Sequence, residues 1–274
     1  MTGVLTLVST PIGNLGDLAP RAMKAFEAAD LVCCEDTRRT GSLLKQIGVR
    51  VDELRRLDDH TEFESIPIIL DRLVAGERVV LVSDAGTPGV SDPGERLVAA
   101  AIEVGVEITT VPGPVAAIAA LVSSGLPSGR FVFEGFLARK GQERSAQLAA
   151  IATESRTTVF YESPNRVAAT LAALVETCGP ERRAVVAREL TKLHEELRRG
   201  TLAELAEWSS AGVKGEVVVV VDGVDASVEL DDGELVERLR TVLAEGSSKR
   251  DAVDRVVAAT GARRGRVYDL SLTI

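Results

Sequence analysis

Short apolar runs alternate with amphipathic helical patterns in the N-terminal part of the chain, and this alternation limits the possible folds more than any other feature. Candidate strands cover residues 4–8, 31–34, 79–83 and 107–111, and helical patterns begin near Leu18 and cover 39–46 and 95–104. Strands and helices in alternation predict βαβ units and a parallel sheet. We expect Asp17 to cap the first helix, since its carboxylate can accept from first-turn amides.

A second α/β unit is predicted after a helical segment at 115–123. Gly125, Pro127 and Gly129 then form an expected hinge. Further strands are predicted at 131–134, 157–161, 184–188 and 217–221, with helices at 142–152, 166–176 and 202–208. An extended piece at 195–199 follows a short loop, which favours a mixed sheet. Thr201 and Glu204 have the spacing of a capping box.

The composition changes after Gly223. An acidic stretch, expected to be a solvated linker, contains Asp225, Glu229, Asp231, Asp232 and Glu234. Beyond it, residues 235–244 and 248–259 show helical patterns, and a third short helix ends near Leu270. The sequence therefore predicts three domains: an α/β domain at 1–122, a second at 123–224, and a small helical domain at 235–274.

The overall composition favours a globular, soluble protein. The 274 residues carry a net charge of −9 and are 45% hydrophobic, enough for a core. The N-terminus lacks a basic signal-peptide segment and no apolar run approaches the roughly 20 residues that span a bilayer, so we expect a cytoplasmic protein without a membrane role. Cys33, Cys34 and Cys178 have the spacing of neither a disulfide framework nor a metal site.

Three loops with glycine and proline follow predicted strands, at 11–16, 84–94 and 112–114, at the edge where open α/β sheets bind ligands. The loop at 83–94 contains glycines that allow close backbone approach, and its aspartates suit ribose hydroxyls, an amine or a cation better than phosphate. S-adenosylmethionine meets those requirements, although a rigid turn with Asp92 as a helix cap is an equal alternative. Pro112-Gly113-Pro114 places the amides of Val115 and Ala116 at a helix start, where a carboxylate can bind, although a helix start that is only stiffened by proline is the favoured alternative.

Eight ordered motifs carry a resemblance that spacing alone does not give. They are VSTPIGNLGDLAPRA, CEDTRRT, LVSDAGTPGVSDPGERLV, VPGPVAAIAAL, FEGFLARK, FYESPNR, ARELTKLHEELRRGTL and KGEVVVV. In this order they resemble the small-subunit rRNA 2′-O-ribose methyltransferase I family of the tetrapyrrole methylase superfamily. The resemblance implies two α/β domains, a parallel and a mixed sheet, plus a small C-terminal helical domain. It also implies a homodimer that uses S-adenosylmethionine to methylate the ribose of a decoding-centre cytidine in 16S rRNA, within the small ribosomal subunit.

The same resemblance places the cofactor site on nine residues: Pro11, Asp84, Ala85, Gly86, Thr87, Val115, Ala116, Tyr161 and Gly215. Two positions depart from the family pattern. Val115 stands where the family usually has a serine, so only its backbone amide can contribute. The segment around His60 keeps the histidine and Glu62 but lacks the family's aromatic residue and second histidine.

Candidates for the catalytic residues are acids and bases near strand ends. We favour Glu35, Asp36, Arg38, Glu162, Arg188 and Glu189 as residues of the cleft, with His60 and Lys192 as further candidates. Each has a structural alternative: Asp36 and Glu162 can cap helices, His60 can be a hydrogen-bonded structural residue, and Arg188, Glu189 and Lys192 can form a surface ion-pair cluster.

The negative net charge argues against RNA binding over the whole surface, so any RNA contact is local. Available basic clusters are Arg38-Arg39, Arg139-Lys140 with Arg144, Lys192, Arg198-Arg199, and Arg263-Arg264 with Arg266. Two other functions remain open: a small-molecule methyltransferase acting on tetrapyrroles, and a non-catalytic ribosome-binding or assembly protein.

Overall fold

The computed structural model describes residues 2–58, 61–224, 232–260 and 262–274. They form two compact units: the first combines Met1–Ala152 with Thr157–Asp222, and the second combines Thr153–Arg156 with Gly223–Ile274. The first unit contains two five-stranded sheets and the second is helical. In the described part of the chain, no helix is both long and apolar enough to cross a membrane.

The first sheet is entirely parallel, as the alternating pattern predicts. Its strands are β1 (Val4–Val8), β2 (Leu31–Cys34), β3 (Leu54–Arg56), β4 (Arg78–Val82) and β5 (Glu107–Val111), in the order β3-β2-β4-β1-β5. Helices α1 (Pro20–Glu27), α2 (Thr37–Ile47), α3 (Glu62–Val74) and α4 (Glu95–Glu103) accompany it. One core packs Phe26 and Leu44 against the sheet and the other packs Ile69 and Leu97, so both faces of the sheet are covered.

One strand of this sheet and one helix packed on it were not predicted, and one predicted helix cap is wrong. Strand β3 is a three-residue edge strand, too short to show an alternating pattern. Helix α3 contains Pro67, which obscures its helical signal. Asp17 lies in a 3-10 turn whose cap is Asn14, and α1 starts at Pro20 without a side-chain cap. Proline at this position needs no amide partner, so the helix begins without Asp17.

The second sheet is mixed, as predicted. After α5 (Ala116–Ser124) come β6 (Phe131–Phe136), β7 (Thr157–Glu162), β8 (Arg183–Arg188), β9 (Glu196–Thr201) and β10 (Val217–Val221), in the order β6-β7-β10-β8-β9. Only the β6–β7 pair is parallel. Helices α6 (Gly141–Thr153), α7 (Val167–Cys178) and α8 (Leu202–Ser209) belong to the core on one face and α5 to the core on the other.

The capping box at the start of α8 is confirmed. Thr201 Oγ1 accepts from the Glu204 amide at 3.3 Å, and Glu204 Oε2 accepts from the Thr201 amide at 2.8 Å.

The helical unit contains α9 (Asp232–Ala244), α10 (Lys249–Thr260) and α11 (Arg264–Ser271), which share a core around Leu239 and Val256. Helix α9 begins three residues earlier than the sequence pattern indicates. Asp232 and Glu234, assigned to the linker, lie in its first turn, where negative charge is favourable to the helix dipole. Asp225, Glu229 and Asp231 lie outside the described residues.

Candidate active site

The loops that follow β1, β4 and β5 are bonded to one another at the carboxyl edge of the first sheet. The backbones of Thr10 and Gly86 exchange two hydrogen bonds, of 2.8 and 3.1 Å. Thr87 Oγ1 lies 2.8 Å from Ser9 Oγ and donates to the Pro114 carbonyl at 3.1 Å. Side-chain and backbone bonds therefore hold the three loops as one rigid wall.

This wall forms one side of a cavity of about 290 Å³ within the first unit. Segments of the second sheet, from β6, β7, β10 and the loop after β8, form the other side. The lining residues are Ile12, Ala85, Gly86, Thr87, Val90, Ser91, Asp92, Val115, Ala116, Phe136, Tyr161, Glu162, Ser163, Pro164, Leu190, Glu216, Val217 and Val218. A mainly apolar lining with a few polar groups is typical of a small-molecule site.

Tyr161 joins the aromatic and the polar parts of the cavity. Its ring centroid lies 5.1 Å from that of Phe133 and 5.4 Å from that of Phe136. Its hydroxyl accepts from the Ala117 amide, at the start of α5, at 3.4 Å. Burial raises the pKa of the Tyr161 hydroxyl, so this group remains a neutral hydrogen-bonding group at neutral pH.

Backbone strain is concentrated around the same cavity. Among the described residues, only three that are not glycine have positive φ: Ser91 at 62°, Glu189 at 51° and Thr191 at 66°. Ser91 lines the cavity, and Glu189 and Thr191 flank Leu190, which also lines it. Such conformations cost about 1–3 kcal/mol each and cluster at functional sites, which supports a functional role for the cavity.

A second, polar cleft of about 650 Å³ lies in the same unit. It is lined by Glu35, Asp36, Thr37, Arg38, Arg56, Asp58 and Asp84. Asp84 connects it to the cavity, because the next residue, Ala85, lines the cavity. The Asp84 carboxylate accepts from the Asp36 amide at 3.0 Å and from Arg39 Nη1 at 3.1 Å.

Within this cleft Asp36 is held in its ionised form. It caps α2 through the Arg38 amide at 2.8 Å, and its carboxylate also accepts two bonds from the Arg38 guanidinium. The bond from the Arg38 side chain is the main reason that the pKa of Asp36 lies well below its usual value. A carboxylate stabilised in this way is a weak proton acceptor.

Glu162 lines the cavity but is almost fully buried and bonded to its own neighbours. It accepts from Thr170 Oγ1 at 2.6 Å and from the Ser163 amide at 2.8 Å, and it forms an ion pair with Arg166 at 3.2 Å. These contacts fix the start of the segment that carries Ser163 and Pro164.

Arg188 and Glu189 lie at the end of β8, beside the cavity. Arg188 pairs with Glu196 at 2.6 Å. Glu189 accepts from Lys192 Nζ at 2.7 Å, and this bond lowers the pKa of the glutamate. Gly215 has a φ of +90°, and a Cβ there would collide with the Glu189 side chain.

The structure thus brings together most of the residues that the sequence indicated. Seven line the cavity: Ala85, Gly86, Thr87, Val115, Ala116, Tyr161 and Glu162. Four line the polar cleft: Glu35, Asp36, Arg38 and Asp84. Pro11 precedes a lining residue, while Arg188, Glu189 and Gly215 support the loop next to the cavity without lining it. His60 lies outside the described residues.

Several cavity residues escaped the sequence analysis because they are apolar, among them Ile12, Val90, Phe136, Leu190 and Val218. Apolar side chains near strand ends give the same sequence signal as core residues. The described part of the chain contains no cluster of His, Cys, Asp and Glu side chains that could hold a metal ion.

Comparison with known proteins identifies the family. The model of the tetrapyrrole (corrin/porphyrin) methylases matches residues 4–206. The ribosomal RNA small subunit methyltransferase I of Mycobacterium tuberculosis is 46% identical over 273 residues, covering 99% of this chain and 95% of that protein. This chain belongs to the ribosomal RNA small subunit methyltransferase I family. The Synechocystis family member is 43% identical over 275 residues, covering 99% and 98% of the two chains.

Solved structures show the tetrapyrrole methylase fold at lower sequence identity. A diphthine synthase superposes with a TM-score of 0.63 at 20% identity, covering 80% of this chain and 90% of that one. A uroporphyrin-III C-methyltransferase from Thermus thermophilus, complexed with S-adenosyl homocysteine, gives a TM-score of 0.56 at 18% identity and covers 80% and 97%. At these identities the likeness shows the fold alone.

Proposed function

We propose that this chain transfers a methyl group from S-adenosylmethionine to the ribose 2′-hydroxyl of a decoding-centre cytidine in 16S rRNA. The observation that carries the proposal is the full-length identity to ribosomal RNA small subunit methyltransferase I proteins. That match includes helices α9, α10 and α11, which lie beyond residue 206, where the match to the tetrapyrrole methylase model ends. The fold is shared with small-molecule methylases, so the full-length match, rather than the fold, favours RNA as the substrate.

The cavity suits S-adenosylmethionine by the chemistry of its lining. Ile12, Tyr161 and Val218 offer apolar surface for an adenine ring. The first-turn amides of α5 have no partner within the helix, so those of Val115 and Ala116 suit a carboxylate. The Asp92 carboxylate suits an ammonium group or ribose hydroxyls. The bound cofactor would supply an electrophilic methyl carbon on a sulfonium.

The polar cleft is the proposed position of the substrate ribose. There the 2′-hydroxyl would take up the methyl group that the bound cofactor would supply, with S-adenosylhomocysteine as the leaving group, and a base in the cleft would accept the hydroxyl proton. Holding the oxygen in line with the methyl group provides most of the rate enhancement, up to about 7–11 kcal/mol in favourable cases. We propose Glu35 as the base, and Asp36 is the weaker acceptor because the bond from the Arg38 side chain lowers its pKa.

We also propose that the chain acts in the cytoplasm as a homodimer. Helix α5 exposes Ile118 and Val122 while its other face packs in the core. Exposed apolar side chains one turn apart on a helix are typical of protein–protein interfaces, and we propose a second copy of this chain as the partner. Light scattering coupled to gel filtration measures the mass in solution, and a monomer would contradict this part of the proposal.

The activity is tested by transfer of labelled methyl groups to small ribosomal subunits that lack ribose methylation. Mass spectrometry then maps the modified nucleotide. Label on one decoding-centre ribose establishes the reaction. Cofactor binding without transfer would instead favour the non-catalytic ribosome-binding protein, and transfer to a tetrapyrrole alone would favour the small-molecule enzyme.

A further inference from the structure

A basic groove lies in the helical unit, outside the candidate active site. Its volume is about 420 Å³, and it runs along α11 beside the start of α10. Three of its side chains are cationic, one is aromatic and none is acidic. The lining residues are Lys249, Arg250, Val253, Arg264, Tyr268, Ser271 and Leu272.

The positions of these cations are unusual for helices. Lys249 and Arg250 open α10, and Arg264 opens α11. The N-terminus of a helix carries a partial positive charge, so acidic side chains are favoured in the first turn and cations are not. At the start of α11, which has no acidic residue in its first turn, the helix dipole adds to the positive charge of the groove, whereas at α10 Asp251 in the first turn, bonded to Ser248, offsets part of it.

The three cations are held to different degrees. Lys249 Nζ donates to the carbonyls of Ser271 and Ile274, at 3.1 and 3.0 Å, so it is fixed on the groove wall. Arg264 pairs with Asp254 at 2.9 Å, but both side chains are at least half exposed, and such pairs contribute little to stability. No described residue forms an ion pair with the exposed Arg250. Arg250 and Arg264 can therefore turn towards a phosphate at little cost.

Tyr268 adds a second kind of contact. Its side chain is 51% exposed, and the neighbouring Leu272 is 61% exposed. An exposed aromatic ring between cations is the combination with which proteins bind single-stranded nucleic acid, since bases stack on the ring while Lys and Arg contact phosphates.

Several other basic residues that the sequence offered for RNA are used inside the protein. Arg199 donates to the carbonyls of Ser123 and Ser124, and Arg144 donates to Ala138 and Thr170. Lys192 pairs with Glu189 and Glu216. These bonds remove Arg144, Lys192 and Arg199 from the candidates for an RNA contact.

We propose that this groove binds a single-stranded segment of RNA, with Arg250 and Arg264 on phosphates and Tyr268 stacked on a base. The inference rests on the proposed function for the source of the RNA, the small-subunit rRNA. It adds a substrate-binding site separate from the residues that hold cofactor and ribose.

The test measures binding of the full chain to a fluorescein-labelled single-stranded RNA oligonucleotide and to small ribosomal subunits, without any methyl transfer. Arg250→Gln and Tyr268→Ala are compared with Arg238→Gln, an exposed arginine on α9 that does not line the groove. Each groove variant is expected to weaken RNA binding about 5- to 10-fold at 0.1 M salt. Arg250→Gln should also reduce the slope of log affinity against log salt by about 1. Arg238→Gln should bind as the parent does.

The outcomes separate this inference from the proposed function. If both groove variants keep the RNA affinity, the circular dichroism spectrum and the cofactor affinity of the parent, the groove is not an RNA site. This conclusion holds even if methyl transfer proceeds. Weakened RNA binding in both variants, together with an absence of methyl transfer by the parent, would overturn the proposed activity and support the groove. Because both residues are exposed, neither substitution removes a core side chain.

Discussion

The carboxylate of Asp84 accepts a 3.0 Å hydrogen bond from the backbone amide of Asp36, which lies 48 residues earlier in the sequence. This bond joins the loop after β4, which continues into the cavity, to the start of α2, which lines the polar cleft. The proposed cofactor and ribose positions are therefore coupled through one side chain.

Removing this carboxylate should affect turnover more than cofactor binding. Asp84→Ala deletes the acceptor for the Asp36 amide and the partner of Arg39, and a charged hydrogen bond is worth about 1.5–3 kcal/mol. The family resemblance assigns Asp84 to the cofactor site, but its carboxylate is bonded to the Asp36 amide and Arg39 in the polar cleft. We therefore expect methyl transfer to fall at least about 10-fold while cofactor affinity stays within about 3-fold, as measured by single-turnover kinetics and calorimetry. Arg39→Gln removes only the exposed partner and should have little effect. Equal losses in both variants would show that the bond to Asp36 is not the important one.

Gly86 and Gly89 provide a matched pair for the cofactor site. Both have positive φ, at 88° and 81°, so alanine at either costs roughly 1–2 kcal/mol in backbone strain. Only Gly86 lines the cavity and bonds to Thr10. Gly86→Ala should weaken S-adenosylmethionine binding about 10-fold or more in calorimetry, and Gly89→Ala should not. Similar affinities in the two variants would move the cofactor away from this loop.

Sequence patterns predicted the strands well where the burial of a strand is complete. Strand β2 is buried at all four positions and β10 at all five, so each appears as an uninterrupted apolar run with clear bounds. The three residues of β3 contain one apolar side chain, and α3 is interrupted by Pro67, so neither gave a signal. The motifs indicated the loops of the site. They could not show that Asp84 and Glu162 are bonded to neighbouring residues, because those contacts depend on tertiary packing.

Gly215 is expected to affect methyl transfer because it leaves room for the Glu189 side chain. Gly215 and Gly212 have φ values of +90° and +91°, so alanine strains both backbones equally. A Cβ at Gly215 would also displace the Glu189 side chain, whereas nothing lies within 4 Å of one at Gly212. We expect Gly215→Ala to reduce methyl transfer at least about 10-fold and Gly212→Ala to reduce only thermal stability. Identical melting temperatures and rates in the two variants would contradict a role for Glu189 in shaping the cavity loop.

The three cysteines should differ in reactivity. Cys33 and Cys34 are buried in the first sheet, and burial raises the pKa of Cys33 to about 12 and also raises that of Cys34. Both thiols therefore stay protonated at pH 8, and the thiolate is the reactive form. Cys178, at the end of α7, is partly exposed. Titration with a chromogenic disulfide should modify one thiol per native chain at pH 8 and three after denaturation. Rapid reaction of a second thiol in the native protein would contradict the burial of Cys33 and Cys34 in β2.

Glu162 is expected to position the cavity wall rather than to accept the substrate proton. Thr170, Ser163 and Arg166 all contact its carboxylate, and the side chain is fully buried. Glu162→Ala removes the acceptor of Thr170 and Ser163, while Arg166 keeps its bonds to the carbonyls of Leu137 and Ala138, so it should lower the free energy of unfolding by about 1–3 kcal/mol in urea titrations. Glu162→Gln retains the shape of the side chain, so it should remain folded and keep the acidic limb of the pH–rate profile. Loss of that limb in Glu162→Gln, with cofactor affinity unchanged, would instead identify Glu162 as the base and remove the role proposed for Glu35.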